Sequence, residues 1–396
     1  MVHYGYIKLK VVIAMKKIII WGCGQYYKNN KFRISDFYSI AAFVSGDSNE
    51  WGTTFENHTV ISPQELQLFH FDVLVIAIER NRDLILSQYH SFLNGYEIID
   101  IKQLPSCKSE WLFSDMPSNR RELKCYFYDF PNVGDSINNF LMDKLFNIRI
   151  IDTLYTDADI TGIGSILDDV LDSWEKNKDI DARHIKNTPL FIWGSGFMYY
   201  HNKPEKFIRN IQLGAVRGNI SLQIINDLRG NNDECVLADP GLLISKFINS
   251  NKKLHSVGII PHHYEVDDEI WKNILKNNKG TFVIDVRRNP LNVLYEIASC
   301  ETIISTSLHG LIFADSLNIP NLWCHYSDKT LCGRLKFDDY YSSYNIHKEP
   351  FQVNNDTIID QRSIVKNYDI SHDLVVEKQE QLIETFDNYY SSAVEM

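Results

Sequence analysis

Short apolar runs rich in β-branched and aromatic residues recur along this chain, and most end in a glycine, serine or aspartate turn that leads into an apolar segment of helical period. Runs of that length bounded by turn residues read as buried strands, and their alternation with helical segments predicts parallel α/β sheets. In the first stretch the strands are Ile18-Ile19-Ile20-Trp21, Ala42-Phe43-Val44, Val73-Leu74-Val75-Ile76-Ala77 and Ile98-Ile99-Asp100, with Ser62-Pro63 opening a short helix. Residues 16–104 are therefore expected to form a small Rossmann-like domain. A 1–15 extension precedes it, and the polar, proline-containing stretch 105–121 reads as a linker.

The pattern resumes over 122–250. Cys125-Tyr126-Phe127-Tyr128 is a strand that delivers Asp129-Phe130-Pro131-Asn132-Val133-Gly134-Asp135-Ser136, with a helix expected from Ser136 or Ile137. Asn132, Gly134 and Asp135 then lie in a strand-to-helix turn at the carboxyl edge of a sheet, where open α/β folds bind ligands. The alternative for Asp135 is a plain N-cap. Further strands run into Gly162-Ile163-Gly164-Ser165 and Trp193-Gly194-Ser195-Gly196. Gly164, Ser165, Gly194 and Ser195 would thus present bare backbone along one edge, as a cleft floor. Arg217, in Val216-Arg217-Gly218, stands between a strand end and a helix start. Its planar fork could clamp a carboxylate or phosphate there, or pair with an acid such as Asp239.

Over 251–345 the strands are Val257-Gly258-Ile259-Ile260, Thr281-Phe282-Val283-Ile284 and Ile303-Ile304, separated by helices near 267–276 and 290–298. The last strand runs through Ser305, Thr306 and Ser307 into an apolar helix. A helix N-terminus offers unpaired N–H groups and the positive end of a dipole, so an anion is favoured there. His309 falls in the first turn, where it could touch that anion; the alternative is an N-cap at Ser307 with a half-buried, hydrogen-bonded histidine behind it. His262 and His263 end a neighbouring strand, so one of them should face the same edge. Their spacing matches neither HxH nor HExxH, and no metal site is expected. The tail, 346–396, closes with an amphipathic helix over 371–391 carrying Leu374, Val375, Leu382, Ile383, Phe386 and Tyr389.

Composition narrows the function. At 396 residues the chain exceeds one ordinary core. Lys and Arg number 40 against 51 Asp and Glu, a formal net charge of −11, which argues against nucleic acid as the main partner. Seven cysteines without a CxxC pair support neither a disulfide framework nor a zinc site and suit a reducing cytoplasm. No signal peptide is read at the start, and no apolar run approaches the roughly 20 residues of a membrane span. Gly22-Cys23-Gly24 follows the first strand as in dinucleotide-binding turns, but Tyr27 occupies the third glycine position and Ser45, not an acid, follows the second strand. NAD or FAD is therefore a weak expectation there, and a nucleotide sugar stays open.

Taken in order, the turn Asn132-Val133-Gly134-Asp135, the two glycine turns, Val216-Arg217-Gly218, Asp239-Pro240-Gly241, Gly258-Ile259-Ile260-Pro261-His262 and Ser307-Leu308-His309-Gly310 resemble the polysaccharide pyruvyltransferase family over residues 123–342. The motif Lys336-Phe337-Asp338-Asp339-Tyr340-Tyr341 is similar to the branch acting on bacterial exopolysaccharide and capsule. The resemblance implies two Rossmann-like halves in a GT-B-like arrangement, 122–250 on the acceptor side and 251–345 on the donor side. It implies transfer of the pyruvyl group of phosphoenolpyruvate onto two saccharide hydroxyls to form a cyclic ketal, with no cofactor.

In that reading His309 and His262 are the catalytic candidates, and Arg217, Ser305, Thr306, Ser307 and Lys329 hold the donor. Asn132, Gly134, Asp135, Gly164, Ser165, Gly194 and Ser195 line the acceptor side of the cleft. The family has arginine where this chain has Ser307; Lys329, within Tyr326-Ser327-Asp328-Lys329, is expected to supply part of the missing charge, ahead of Arg334 and Lys336. A lipid-linked acceptor would bring the protein to the inner membrane face. The competing readings are a GT-B glycosyltransferase using a nucleotide sugar and a non-catalytic scaffold of a polysaccharide assembly complex.

Overall fold

Three mainly parallel sheets flanked by helices account for the strand runs of the sequence. The computed structural model describes residues 16–31, 34, 38–80, 82–93, 95–104, 121–128, 132–178, 180–248, 252–329 and 333–395. The expected 1–15 extension, nearly all of the 105–121 linker and the segment Asp129-Phe130-Pro131 lie outside the described residues. The chain divides into two units, Met1–Ser106 and Cys107–Met396.

In the first unit the strands are Lys16–Trp21 (β1), Tyr38–Val44 (β2), Thr54–Phe55 (β3), His58–Ile61 (β4), Val73–Ile76 (β5) and Glu97–Asp100 (β6), in the order β3-β4-β2-β1-β5-β6. All pairs are parallel except the β3–β4 hairpin. The period of two sorts their side chains onto two faces. Ile18, Ile20, Phe43 and Val75 pack in one cluster, while Ile19, Trp21, Val44 and Ile76 pack in another. Both faces are therefore covered, as a parallel sheet requires.

The second unit carries two sheets. Arg121–Tyr126 (β7), Ile148–Asp152 (β8), Ile160–Thr161 (β9), Leu190–Trp193 (β10), Ile211–Val216 (β11) and Val236–Leu237 (β12) are ordered β12-β11-β10-β9-β7-β8. His255–Ile260 (β13), Thr281–Val283 (β14), Cys300–Ser305 (β15), Asn321–His325 (β16) and Phe351–Gln352 (β17) are ordered β14-β13-β15-β16-β17. One core serves both sheets. It runs from Ile137 and Leu141 on the Val133–Phe146 helix through Leu242 and Leu243 to Leu311 and Phe313 on the Leu308–Ser316 helix.

The closing helix, His372–Glu395, returns across this core onto the first of these two sheets. Tyr389 stacks on Phe191 of β10 with centroids 3.9 Å apart, and Trp193 Nε1 donates to Leu382 O at 3.0 Å. Val375, Leu382 and Phe386 are buried, whereas Leu374, expected on the apolar stripe, points outward and is 43% exposed.

The Val133–Phe146 helix also begins earlier than the expected Ser136. Asn132 is the cap, its side chain accepting from Gly134 N, and the Ser136 hydroxyl donates to Asn132 O at 3.0 Å from inside the first turn. Asp135 is therefore a first-turn acid rather than the cap.

Candidate active site

Parallel strands end at one edge of a sheet, and in the second unit the carboxyl edges of two sheets meet there. The tie is a backbone hydrogen bond, Val133 N to Val286 O at 2.8 Å, joining the turn after β7 to the loop after β14. Asn132 holds the adjacent acid, its Nδ2 donating to Asp135 Oδ2 at 2.9 Å. Gly134 faces the second sheet's helix: a Cβ there would run into the His309 ring at Nδ1. Only a residue without a side chain lets that histidine lie against the turn.

His309 is buried in the first turn of the Leu308–Ser316 helix. Its Nε2 is buried without a hydrogen-bond partner, 3.8 Å from Asp239 Oδ2 and so beyond bonding distance. Asp239 Oδ1 is engaged in capping, accepting from Gly241 N at 2.8 Å. From β13 comes His262, whose N–H donates to Thr306 Oγ1 at 2.8 Å and whose Nδ1 is buried and unpartnered. A fourth group arrives from the Leu335–Ser342 helix: Lys336, which is buried and acts electrostatically on Asp135, His262 and His263 alike.

These neighbours set the protonation states. Burial pushes the Asp135 carboxyl up to about 6, against the opposing pull of His309, the Asn132 hydrogen bond and Lys336. Burial, with Lys336 and the neighbouring histidines adding to it, takes His262 down to about 2. His263 falls to about 4 by burial, Lys336 and Arg287. Both imidazoles are thus neutral at physiological pH. The cleft combines a fixed cation, two neutral imidazoles, a third imidazole on a helix N-terminus and an acid able to carry a proton near neutrality. That set suits an anionic ligand whose reaction moves protons.

Several residues expected at the ligand are engaged elsewhere. Arg217 is 2% exposed and its fork is filled by protein. Its Nε donates to Asp339 Oδ2 at 2.9 Å, Nη1 to Ser165 Oγ at 2.6 Å and Nη2 to Phe197 O at 2.7 Å. The acid is Asp339, not Asp239, and the arginine ties the first sheet's edge to the Leu335–Ser342 helix. Ser165 serves that tie. Ser195 is fully buried, its hydroxyl donating to Gly162 O and standing 2.9 Å from Thr161 Oγ1, so it is engaged within the protein. Gly194 has φ +92° and packs on Pro240, a backbone requirement rather than a ligand contact. Gly164 does border Asp135.

On the other sheet the Ser305 hydroxyl lies 2.9 Å from Ile260 O and 2.8 Å from Ser307 O, its one proton shared between them, and accepts from Ser307 N, which builds the turn. Thr306 Oγ1 donates to Glu265 Oε2, and Ser307 caps the helix by backbone alone. Lys329 stands half exposed and grips Asp268, with both Nζ–O distances 2.6 Å. The lysine whose charge acts on Asp135, His262 and His263 is Lys336, which the sequence reading ranked below Lys329. The available signal was its place in an apolar run, with Leu335 and Phe337 beside it.

A family model, Polysaccharide pyruvyl transferase, matches residues 42–328, beginning inside the first unit and upstream of the motif-bearing stretch. The chain is 25% identical over 285 residues to uncharacterized protein L143 of Acanthamoeba polyphaga mimivirus, covering 68% of this chain and 92% of that protein. It is 23% identical over 235 residues to succinoglycan biosynthesis protein ExoV of Rhizobium meliloti (strain 1021), covering 58% and 68% respectively.

Proposed function

The chain belongs to the polysaccharide pyruvyl transferase family, and from that membership and the cleft we propose that it transfers the pyruvyl group of phosphoenolpyruvate onto two hydroxyls of a saccharide, closing a cyclic ketal. The observation that carries the reading is the gathering of Lys336, His262, His263 and His309 at a helix N-terminus opposite Asp135. Phosphoenolpyruvate brings a phosphate and a carboxylate, and the ammonium with the helix terminus offers both a counter-charge.

The reaction balances with these groups. The methylene carbon takes a proton from Asp135, the π pair of the double bond forming the new C–H bond, so that it becomes a methyl group and the central carbon is left electron-poor. A sugar oxygen bonds to that carbon as its proton passes to His309. The bond from carbon to phosphate oxygen then breaks with its electron pair, and the second sugar oxygen takes the vacated place, losing its proton. Of the two hydroxyl protons, one restores the acid and the other leaves with phosphate. His262, held neutral by burial, serves as a hydrogen-bonding group rather than a proton acceptor.

The test is thermal unfolding with and without millimolar phosphoenolpyruvate in the parent, Lys336→Gln and Lys329→Ala. A ligand at 100 times its dissociation constant adds about 2.7 kcal/mol to the folded state. Stabilisation of the parent and of Lys329→Ala, lost in Lys336→Gln, is the expected result. A parent indifferent to phosphoenolpyruvate but stabilised by a nucleotide sugar would overturn the reading in favour of glycosyl transfer.

A further inference from the structure

The turn after β13 holds an exposed aromatic ring beside His262 and His263. His262, His263, Tyr264 and Glu265 form a tight turn closed by Glu265 N to His262 O at 2.7 Å. Glu265 is 1% exposed and anchors the turn on three sides. Its carboxylate accepts from Thr306 Oγ1 and from Ser327 Oγ at 2.7 Å, and its carbonyl accepts from Trp271 Nε1 at 2.7 Å. On this fixed base Tyr264 is 51% exposed, with its ring centroid 4.0 Å from that of His263 and 5.4 Å from that of His262.

A rigid turn that holds a large ring half in water, against the buried His262 and the half-buried His263, is preorganised for a partner with an apolar face. A pyranose ring has one: its C–H groups form a flat hydrophobic patch with the hydroxyls around the rim. For two of those hydroxyls to reach the carbon attacked beside His262 and His309, to within about 3–3.5 Å, the sugar ring must lie within roughly its own width of the histidines. Tyr264, its ring centroid 5.4 Å from that of His262, stands within that distance of the histidine. We propose that Tyr264 is the stacking surface for the acceptor sugar, seating the pyranose face so that its rim hydroxyls point at the donor. The proposal rests on the pyruvyl-transfer reading for the identity of the occupant.

The experiment is saturation-transfer NMR with methyl β-galactoside, methyl β-glucoside and methyl α-mannoside on the full chain, comparing the parent with Tyr264→Phe and Tyr264→Ala. Thermal unfolding with phosphoenolpyruvate is run on the same three proteins. At least one glycoside should contact the parent and Tyr264→Phe and bind Tyr264→Ala about fivefold to tenfold more weakly. Donor stabilisation should be equal in all three. Equal glycoside binding by the parent and Tyr264→Ala, or none by the parent, would overturn the proposal. Loss of donor stabilisation in Tyr264→Ala would overturn it too, since the ring would then belong to the donor side. A parent that responds to glycosides through Tyr264 but ignores phosphoenolpyruvate would support the stacking surface and sink the donor assignment, so the two failures are told apart.

Discussion

Replacing Asp135 by Asn should stabilise this protein at neutral pH while impairing it as a catalyst. The carboxyl titrates at about 6 in the folded chain and near 3.9 once unfolded. Between those values the folded state binds more protons, so stability falls as pH rises through the window and is level above it. The interval corresponds to about 3 kcal/mol. Asparagine has the same shape and an Oδ1 that still accepts from Asn132 Nδ2, but it pays no charging cost in the cleft.

Parent and variant should therefore unfold at nearly the same urea concentration at pH 4. They should diverge by about 2–3 kcal/mol in favour of Asp135→Asn at pH 7.5. Urea midpoints followed by circular dichroism at half-unit steps of pH read this directly, and phosphate release from phosphoenolpyruvate should fall in the same variant. A gap that does not change with pH, or a parent more stable than the variant at pH 7.5, would refute the reasoning. Either would mean that His309, Asn132 and Lys336 outweigh burial at this carboxyl.

Arg217→Ala should cost about 3–5 kcal/mol of stability, because it strands the buried Asp339 carboxylate. Adding Asp339→Asn should recover part of that loss, measured as a non-additive double-mutant cycle by urea unfolding. Gly134→Ala should gain up to about 1 kcal/mol in helix propensity and lose more from the displaced His309 ring, a net loss of about 1–2 kcal/mol. Its stabilisation by phosphoenolpyruvate should disappear, and an undiminished shift in thermal unfolding would show that the ring's position does not matter to the donor.

Most of the framework was legible because buried parallel strands announce themselves. Ile18 to Trp21, Val73 to Ile76 and Ile303 to Ile304 are apolar on both faces, and turn residues bound them. Less legible were strands whose burial comes from partners distant in sequence. Ile148–Asp152 reads as a mixed polar run and pairs with β7 as an edge strand, and Phe351–Gln352 is two exposed residues placed by pairing with β16. The helix start at Val133 was missed because the Asn132 cap competes in sequence with Asp135 and Ser136, and only the hydrogen bonds decide among them.

At the site, position along the chain indicated which loops meet but not where each side chain points. Arg217 and Lys336 show the difference. The sequence put Arg217 at the donor and ranked Lys336 behind Lys329, whereas in the fold Arg217 packs against the Leu335–Ser342 helix and Lys336 belongs to it. Arg217 finds its carboxylate in Asp339 on that helix, three residues beyond Lys336, so its charge is neutralised within the fold. Lys336 is on the same helix, and its charge reaches Asp135, His262 and His263 across the cleft. One helix thus carries both Asp339, which holds the first sheet's edge, and Lys336, whose charge acts on Asp135, His262 and His263. On the pyruvyl-transfer reading, Ser307 stands where the resemblance expects an arginine, and Lys336 on the packed helix is the proposed source of that charge.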